Sequence, residues 1–296
     1  MFCFSSTFSI EARVQGGPLG ARVKELRCGS PRRIAAESST SVGWFTRGTE
    51  RWKGLPPHLA VGHGVHGRGV VVAEGCRLHA GEVALSVVPT AVCISLRRAT
   101  KTCVICFASV DEHDGELPLG CEACRRVYWC SIACRARHAP RHAVECVFLQ
   151  HLNGTIKKEE SDCIVTLSAL LGAMCDPQGS AVEQVTALMP DNPNGAGSKK
   201  QLRAMRDAAG KVWAWLVDAA GHGAVPESLA QELSERLLLQ CLLCGPLNNF
   251  GIFDRHGEAD GFCVAPLAAL VNHSCVPNCA QLVAGGRVTL LALQVG

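Results

Sequence analysis

The feature that most constrains this chain is a concentration of cysteines with metal-ligand spacing. Seven of its 18 cysteines fall between Cys103 and Cys146. The candidate ligands form four pairs, Cys103-x2-Cys106, Cys121-x2-Cys124, Cys130-x3-Cys134 and His142-x3-Cys146. Both thiolates of a C-x2-C pair can reach one zinc ion at about 2.3 Å, and residues four apart share a helix face. Eight ligands complete two closed tetrahedral sites, so the sequence predicts two structural zinc ions.

Apolar packing and disulfide bonding account for these cysteines less well. Buried cysteines can pack as small apolar groups, but four metal-spaced pairs make that interpretation improbable here. A secreted disulfide scaffold would be short, whereas this chain has 296 residues, so a reducing compartment fits better. His113 and His138 lie in the same segment outside the pairs, and we predict that they are surface residues.

Composition limits the class of protein. With 48% hydrophobic and 19% charged residues, the chain is expected to be globular, and no apolar run is long enough to span a bilayer. A net charge of +3 is too small to indicate nucleic-acid binding. The segment from Cys103 to Cys146 has an arginine-rich face, but its six acidic residues favour solvated charge over an acidic or nucleic-acid partner. The arginines of that face are Arg125, Arg126, Arg135, Arg137 and Arg141.

The first 55 residues differ from the rest of the chain. They carry nine basic and four acidic residues, with many Ser, Gly and Thr and no sustained periodicity. This composition is typical of an organelle transit peptide or of a disordered tail, and the lack of an amphipathic helix favours the tail. We therefore expect a cytoplasmic or nuclear protein, with organelle import as the alternative.

Periodicity predicts strands on both sides of the cysteine cluster and helices after it. Residues 67–73 and 83–88 are predicted strands, which the turn at 79–82 would join in a hairpin-like unit. Apolar residues then recur at helical spacing over 164–171, over 202–216, and over 229–241 behind a helix start at Pro226. Cys241 and Cys244 form a further C-x2-C pair, but a leucine-rich helix favours the core for them. Short strands return after Leu247.

The cysteine-rich run resembles a MYND zinc finger. The resemblance rests on the ligand order and on Val127-Tyr128-Trp129-Cys130 and His142-Ala143-Val144-Glu145-Cys146. It implies interleaved ligation, with Cys103, Cys106, Cys130 and Cys134 on one zinc ion and Cys121, Cys124, His142 and Cys146 on the other. Where MYND fingers usually carry a tryptophan, this chain has Ala139. The family implies a protein-interaction module that binds proline-containing peptides.

Three motifs around the finger resemble the split SET domain. Gly67-Arg68-Gly69, Asn248-Asn249-Phe250 and Asn272-His273-Ser274-Cys275 follow the order found in SET-and-MYND protein-lysine methyltransferases, over roughly residues 61 to 296. The resemblance implies S-adenosylmethionine as cofactor, with Gly67, Arg68 and Gly69 at its methionine end and Asn272 and His273 bonded to it. Asn248 would lie near the cofactor and the target-lysine channel. Alone, Gly67-Arg68-Gly69 fits an ordinary hairpin turn equally well.

The catalytic tyrosine of that family has no counterpart at its expected place. It follows a Gly-Glu-Glu-Leu turn that would begin near Gly296, and Tyr128, the single tyrosine, belongs to the finger. We therefore expect that this chain contains no catalytic residue and that the tyrosine lies beyond Gly296. The post-SET cysteines that would join Cys275 on a third zinc ion are absent too, which leaves Cys275 and Cys279 as free thiols. The chain is then a truncated methyltransferase of histone or non-histone proteins, or a non-catalytic interaction module.

These inferences combine into an α+β fold. A split β-rich SET-like domain is interrupted by a two-zinc MYND finger and a helical insert. The expected divisions are a tail over 1–55, the first part of the SET-like domain over 56–100, the finger over 101–147, the helical insert over 148–245 and the SET core over 246–296. Expected partners are a lysine-bearing protein substrate and proline-containing peptides, without membrane or nucleic acid.

Overall fold

The computed structural model describes a mixed α/β protein with several small antiparallel sheets. It describes residues 8–9, 54–64, 67–111, 115–151, 161–174, 185, 188, 199–223, 227, 231, 233–274 and 276–293. Within those ranges, no helix combines the length and the apolar character that crossing a membrane requires. Most of the predicted tail, together with His113 and Cys275, lies outside the described residues.

Strands occupy both ends of the described chain, and the longer helices follow one another between them. The strands are β1 (Phe8–Ser9), β2 (Leu59–Gly64), β3 (Gly67–Val72), β4 (Val83–Val87), β5 (Ala91–Ile94), β6 (Leu119–Gly120), β7 (Tyr128–Trp129), β8 (Asn249–Phe253), β9 (Ala259–Val264), β10 (Asn272–His273), β11 (Cys279–Ala284) and β12 (Arg287–Ala292). The helices are α1 (Ile132–His151), α2 (Ser161–Met174), α3 (Lys199–Gly221), α4 (Glu235–Asn248) and α5 (Pro266–Ala269), with a 3-10 turn at Leu96–Arg98.

The largest sheet has the strand order β10-β1-β11-β12-β4. The hairpin β11–β12 turns at Gly285 and Gly286, which both have positive φ, a conformation that glycine adopts without steric cost. Phe8 and Ser9 pair with β10 and β11, so the basic N-terminal region contributes a strand that its composition did not predict. The inward side chains of these strands join β2 and β3 in one apolar cluster that includes Val61, Val70 and Leu290.

The predicted hairpin between residues 67–73 and 83–88 is wrong in its pairing. Both strands exist, but β3 pairs with β2, and β4 pairs with β12 more than 200 residues away. Local alternation predicts that a strand forms, whereas its partner depends on which faces can be buried together. The pairing with β12 buries Ala84 and Leu85 in the same cluster as Leu290.

A helical layer covers the three-stranded sheet, which has the order β5-β9-β8. Helices α2 and α3 contain the residues predicted as helical, and their apolar faces form a second core with α4. The helix expected from Pro226 is interrupted rather than continuous, because Glu227 and Gln231 are helical whereas Leu233 and Ser234 are not. The Ser234 side chain accepts a hydrogen bond from the amide of Leu237 and so caps α4. A serine that caps a helix lies just before its first residue and therefore cannot continue a preceding helix into it. Cys244 is buried in this core, as predicted.

The cysteine-rich segment contacts this α+β body at several points. The turn at Gly286 lies against the Ile105 carbonyl, so closely that a Cβ on Gly286 would be 2.1 Å from its oxygen. Asp111 contacts the side chains of Arg255 and His256 in the β8–β9 turn. Just before the segment, Arg98 donates from Nε to the fully buried Asp260 at 2.5 Å.

Candidate metal centre

The first group of ligands joins two loops and the start of a helix. Sγ of Cys106 lies 3.4 Å from Sγ of Cys130, which lies 3.7 Å from Sγ of Cys134. Cys103 completes the group, and all its sulfur atoms lie within 4.8 Å of one another. A tetrahedron with zinc–sulfur bonds of about 2.3 Å has edges of about 3.8 Å, so the four sulfur atoms fit one zinc ion.

The second group has the same closed form with one imidazole. Sγ of Cys121 lies 3.5 Å from Sγ of Cys146, and Sγ of Cys124 lies 3.9 Å from Nε2 of His142. These four ligand atoms also lie within 4.8 Å of one another. The structure thus brings together the two interleaved sets that the family pattern implied, and both leave no open coordination position.

Local backbone structure sets the direction of each ligand pair. In the first loop, the amide of Phe107 donates to the Cys103 carbonyl, and Phe107 has a φ of 63°. In the second, the amide of Arg125 donates to the Cys121 carbonyl, and Arg125 has a φ of 53°. Both are tight turns in which a side-chain-bearing residue adopts the left-handed region, which is sterically costly and is held by the surrounding contacts.

Helix α1 supplies one ligand to the first group and two to the second. Ser131 precedes the helix and accepts a hydrogen bond from the amide of Cys134 at 3.2 Å, which is the geometry of an N-cap. His142 and Cys146 follow later on the same helix, one turn apart, so their side chains point together toward Cys121 and Cys124. The helix is longer than the short one that this ligand spacing alone required.

Within the second group, the surroundings of Cys121 favour the thiolate that binds metal. Burial alone raises the pKa of the Cys121 thiol, but hydrogen bonds from His142 and from backbone amides lower it to about 6. A thiolate is the form of cysteine that ligates zinc, so this environment suits a metal centre.

A comparison with protein families agrees with this geometry. Residues 103–146 match the model of the MYND finger. This segment is a MYND zinc finger. Its cysteine and histidine clusters bind zinc, and MYND fingers are protein-interaction modules. Among curated proteins, none gives a significant match to the chain.

The prediction that His138 is a surface residue is wrong. His138 is only 4% exposed and lies inside the finger, beside His142 and Glu145. Its position was readable from the sequence, since residues 138, 142 and 145 are separated by four and three positions and therefore share one face of α1. Ligand spacing does not reveal it, because His138 belongs to none of the four ligand pairs.

The residues predicted to bind S-adenosylmethionine fall in two places. Gly69 in β3 approaches Asn272 of β10 so closely that a Cβ on Gly69 would lie 2.4 Å from the Asn272 side-chain nitrogen. Gly67 and Arg68 precede Gly69 in β3, and His273 follows Asn272 and is exposed. Asn248 is buried at the end of α4, where its amide donates to the Cys244 carbonyl at 2.6 Å.

Tyr128 has a structural position in the finger. It lies in β7, opposite Gly120 of β6, and its ring covers that glycine. A Cβ on Gly120 would be 2.7 Å from the Tyr128 ring, so the pair packs as a unit within the β6–β7 hairpin.

Proposed function

We propose that this chain is a zinc-dependent interaction protein whose finger receives a proline-containing segment of a protein partner. The observation that carries the proposal is the MYND finger with two complete ligand groups. Closed sites of this kind hold a fold rather than perform chemistry, so the surface that they stabilise is the functional part.

A crevice between the finger and the body supports a location for the partner. Its volume is about 240 Å³, and one wall is formed by Val104, Ile105 and Phe107 of the finger. The opposite wall contains Val88 and Pro89 of the body. Apolar and aromatic walls suit proline rings, whose preformed extended helix loses little entropy on binding.

Polar groups at the same crevice suit the backbone of such a peptide. Arg137 and Arg141 of α1 both line it, four residues apart on the helix. Arg141 donates to the carbonyl of Thr90 at 3.4 Å, which holds its guanidinium beside the wall of the body. Because a polyproline segment leaves its carbonyls free to accept hydrogen bonds, guanidinium donors complement it.

The test is selection from an array of proline-containing peptides, followed by affinity measurement on variants. Val88→Asp places a charge in the crevice and should weaken binding of the selected peptide by at least about tenfold. Val217→Asp is the matched control, because Val217 is similarly exposed, on α3, and does not line the crevice. Replacing Cys121 and Cys124 with serine should unfold the finger and abolish binding.

The outcomes separate the function from its location. A zinc-loaded protein that selects no peptide from the array contradicts the interaction function. Selected peptides that bind Val88→Asp and the native protein equally well contradict the crevice as their site, while the function itself stands.

We infer a second candidate function, S-adenosylmethionine-dependent methylation of lysine in histone or non-histone proteins. The approach of Gly69 to Asn272 supports it, because two of the three SET-like motifs meet although they are 203 residues apart. The reaction is an in-line displacement at the cofactor's methyl group, so residues that orient the cofactor and the neutral amine dominate the rate. Gly67, Arg68, Gly69, Asn272 and His273 would hold the cofactor, with Asn248 nearby.

A cavity beside β8 supports the same candidate. Its volume is about 330 Å³, and Gly251, Phe253 and Phe262 form part of its largely apolar wall. Asp162, at the start of α2, also lines it. An apolar channel fits the aliphatic stem of a lysine, and a carboxylate can accept a hydrogen bond from its neutral amine.

Titration calorimetry with S-adenosylmethionine tests this second candidate before any search for substrates. The native protein should bind the cofactor, and Asn272→Ala should weaken binding about tenfold through the loss of hydrogen bonds. Gln231→Ala, which removes an exposed amide, should have no effect. Absence of cofactor binding by the zinc-loaded native protein contradicts the methyltransferase function. If the cofactor binds, a methyl-transfer assay with histone and non-histone proteins follows.

A further inference from the structure

A buried chain of polar side chains lies behind the second group of zinc ligands. Nε1 of Trp129 donates to Nδ1 of His138 at 3.2 Å. Nε2 of His138 lies 3.2 Å from Oε2 of Glu145, and the same oxygen lies 3.5 Å from Nδ1 of His142. His138, His142 and Glu145 are all buried. A polar chain in such a place needs a reason, because each group would lose solvation without its partners.

Hydrogen-bond roles along the chain follow from its two ends. The indole of Trp129 can only donate, so Nδ1 of His138 accepts and its Nε2 carries the proton that faces Glu145. At the other end, Nε2 of His142 faces the thiol of Cys124, so it is the metal-binding nitrogen and Nδ1 carries the proton. Oε2 of Glu145 then receives the N–H of His138, and Nδ1 of His142, which is buried without a hydrogen-bond partner among the described residues, lies 3.5 Å from the same oxygen.

We propose that His138 is a positioning residue of the second zinc site and acts on the ligand His142 through Glu145. A carboxylate that accepts from the free N–H of a zinc-bound imidazole fixes its tautomer and ring orientation. Glu145 can do so in the zinc-bound protein only if its own side chain is held beside Nδ1 of His142, and His138 is the donor that holds it there. Trp129, in turn, fixes the direction of His138.

Packing around the carboxylate supports this role. Helix α2 approaches α1 at Gly172, where a Cβ would lie 2.8 Å from Oε1 of Glu145 and 2.9 Å from the Arg141 carbonyl. The glycine therefore lets the helix close over the carboxylate. The rings of His138 and His142 stack at 5.3 Å, and Trp129 meets His142 edge-on at the same distance. The imidazole ligand is thus confined on several sides.

The two zinc sites provide an internal comparison for the test. The protein is loaded with cadmium-113 for NMR, which distinguishes a site with four thiolates from one with three thiolates and an imidazole. Zinc release to a chelator is measured on the zinc-loaded protein. His138→Leu should shift only the resonance of the second site and should weaken zinc binding there about 10- to 100-fold. The site formed by Cys103, Cys106, Cys130 and Cys134 should keep its resonance and its release rate.

Two further variants distinguish positioning from packing. His138→Gln can still accept from Trp129 and donate to Glu145, so it should restore most of the native affinity and resonance position. Glu145→Gln, which keeps the volume of the side chain, should affect the second site as His138→Leu does, and it provides the test if the leucine variant does not fold. Glu116→Gln, which removes an exposed carboxylate of the same finger, is the control and should change neither site.

Three results would overturn the assignment. One is equal acceleration of release from both zinc sites, which would indicate a general loss of finger stability. Another is native behaviour of both His138→Leu and Glu145→Gln. The third is a stoichiometry of three zinc ions per chain, because His138, His142 and Glu145 would then be ligands of a separate ion. None of these measurements depends on a protein partner, so they are independent of the proposed interaction function.

Discussion

The finger has a much smaller apolar core than the body against which it lies. Its buried cluster consists mainly of Leu117, Val127, Trp129 and Leu149, together with two ligand cysteines. The helical layer alone buries a continuous set that includes Phe148, Leu171 and Leu216. Burial of apolar surface can stabilise the body, whereas the finger depends on metal ligation and on its contacts with the body. The comparison predicts that different perturbations unfold the two regions.

Removal of zinc should have the largest effect and should be confined to the finger. Structural zinc contributes about 10–16 kcal/mol to the folding of zinc-finger peptides, far more than the small finger core can replace. Cys124→Ser should therefore release the second zinc ion and expose the amides of residues 115–146 to hydrogen exchange, measured by mass spectrometry. Helices α2 and α3 should keep their protection. If the finger amides stayed protected in zinc-free protein, the expected difference between the finger and the body would be contradicted.

A cavity created in the helical core should instead destabilise the body and leave the finger folded. Phe148 is fully buried, and its ring centre lies 4.8 Å from that of Trp215. Phe148→Ala should lower the free energy of unfolding by about 3–5 kcal/mol, as measured by urea denaturation, while two zinc ions remain bound. The control Val147→Ala, at the neighbouring exposed position, should change stability by less than about 0.5 kcal/mol. Loss of zinc from Phe148→Ala would show that the two regions fold as one unit.

The contact at Gly286 tests how the finger is held against the body. Gly285 and Gly286 both have positive φ, but a Cβ on Gly285 meets no atom within 4 Å among the described residues. Alanine at either position has the cost of a left-handed backbone, roughly 1–2 kcal/mol. Gly286→Ala also displaces the Ile105 carbonyl, so it should cost a further 1–3 kcal/mol or so and increase hydrogen exchange of residues 103–111. Equal stability of the two variants would argue against this contact.

Thiol labelling involves the smallest free energies, but it compares cysteines of the finger and of the body one by one. Burial raises the pKa of Cys241 and of Cys263 to about 12, so at pH 8 only on the order of one in 10⁴ of these thiols is ionised. Iodoacetamide should label the exposed Cys76 at least about 100-fold faster than either residue, as followed by peptide mass spectrometry. When zinc is removed, Cys121 should become reactive, because its sulfur is no longer bound to metal and the unfolded finger exposes it. Early labelling of Cys263 would mean that the body opens as readily as the finger.

Local sequence patterns predicted the parts of the structure that depend on local geometry. Ligand spacing selected the pairs that the structure brings together, because short loops and a helix turn fix the distances between the ligands of a pair. Apolar periodicity located α2 and α3 for the same reason. The family resemblance added the interleaving of the pairs, which spacing alone left open.

Long-range relations were not accessible in the same way. The pairing of β4 with β12 depends on the burial of faces that lie 200 residues apart. The break before α4 depends on whether the Ser234 side chain caps a helix or points outward, and either is compatible with the sequence. His138 was missed for a local reason: its helical spacing from Glu145 is present in the sequence, but neither Glu145 nor Trp129 is a metal ligand, so a search for ligand pairs does not include them.

Helix α1 has a consequence for how this chain can vary in length. Cys146 faces the second zinc site, and Phe148, two residues later, faces the helical core. Two residues turn a helix by about 200°, so opposite sides of a single helix serve the finger and the body. One added or deleted residue between them would rotate one side by about 100° relative to the other. Loops between the ligand pairs can change length without this effect. Between Cys146 and Phe148, however, only the present number of residues keeps each side chain on its own side of the helix.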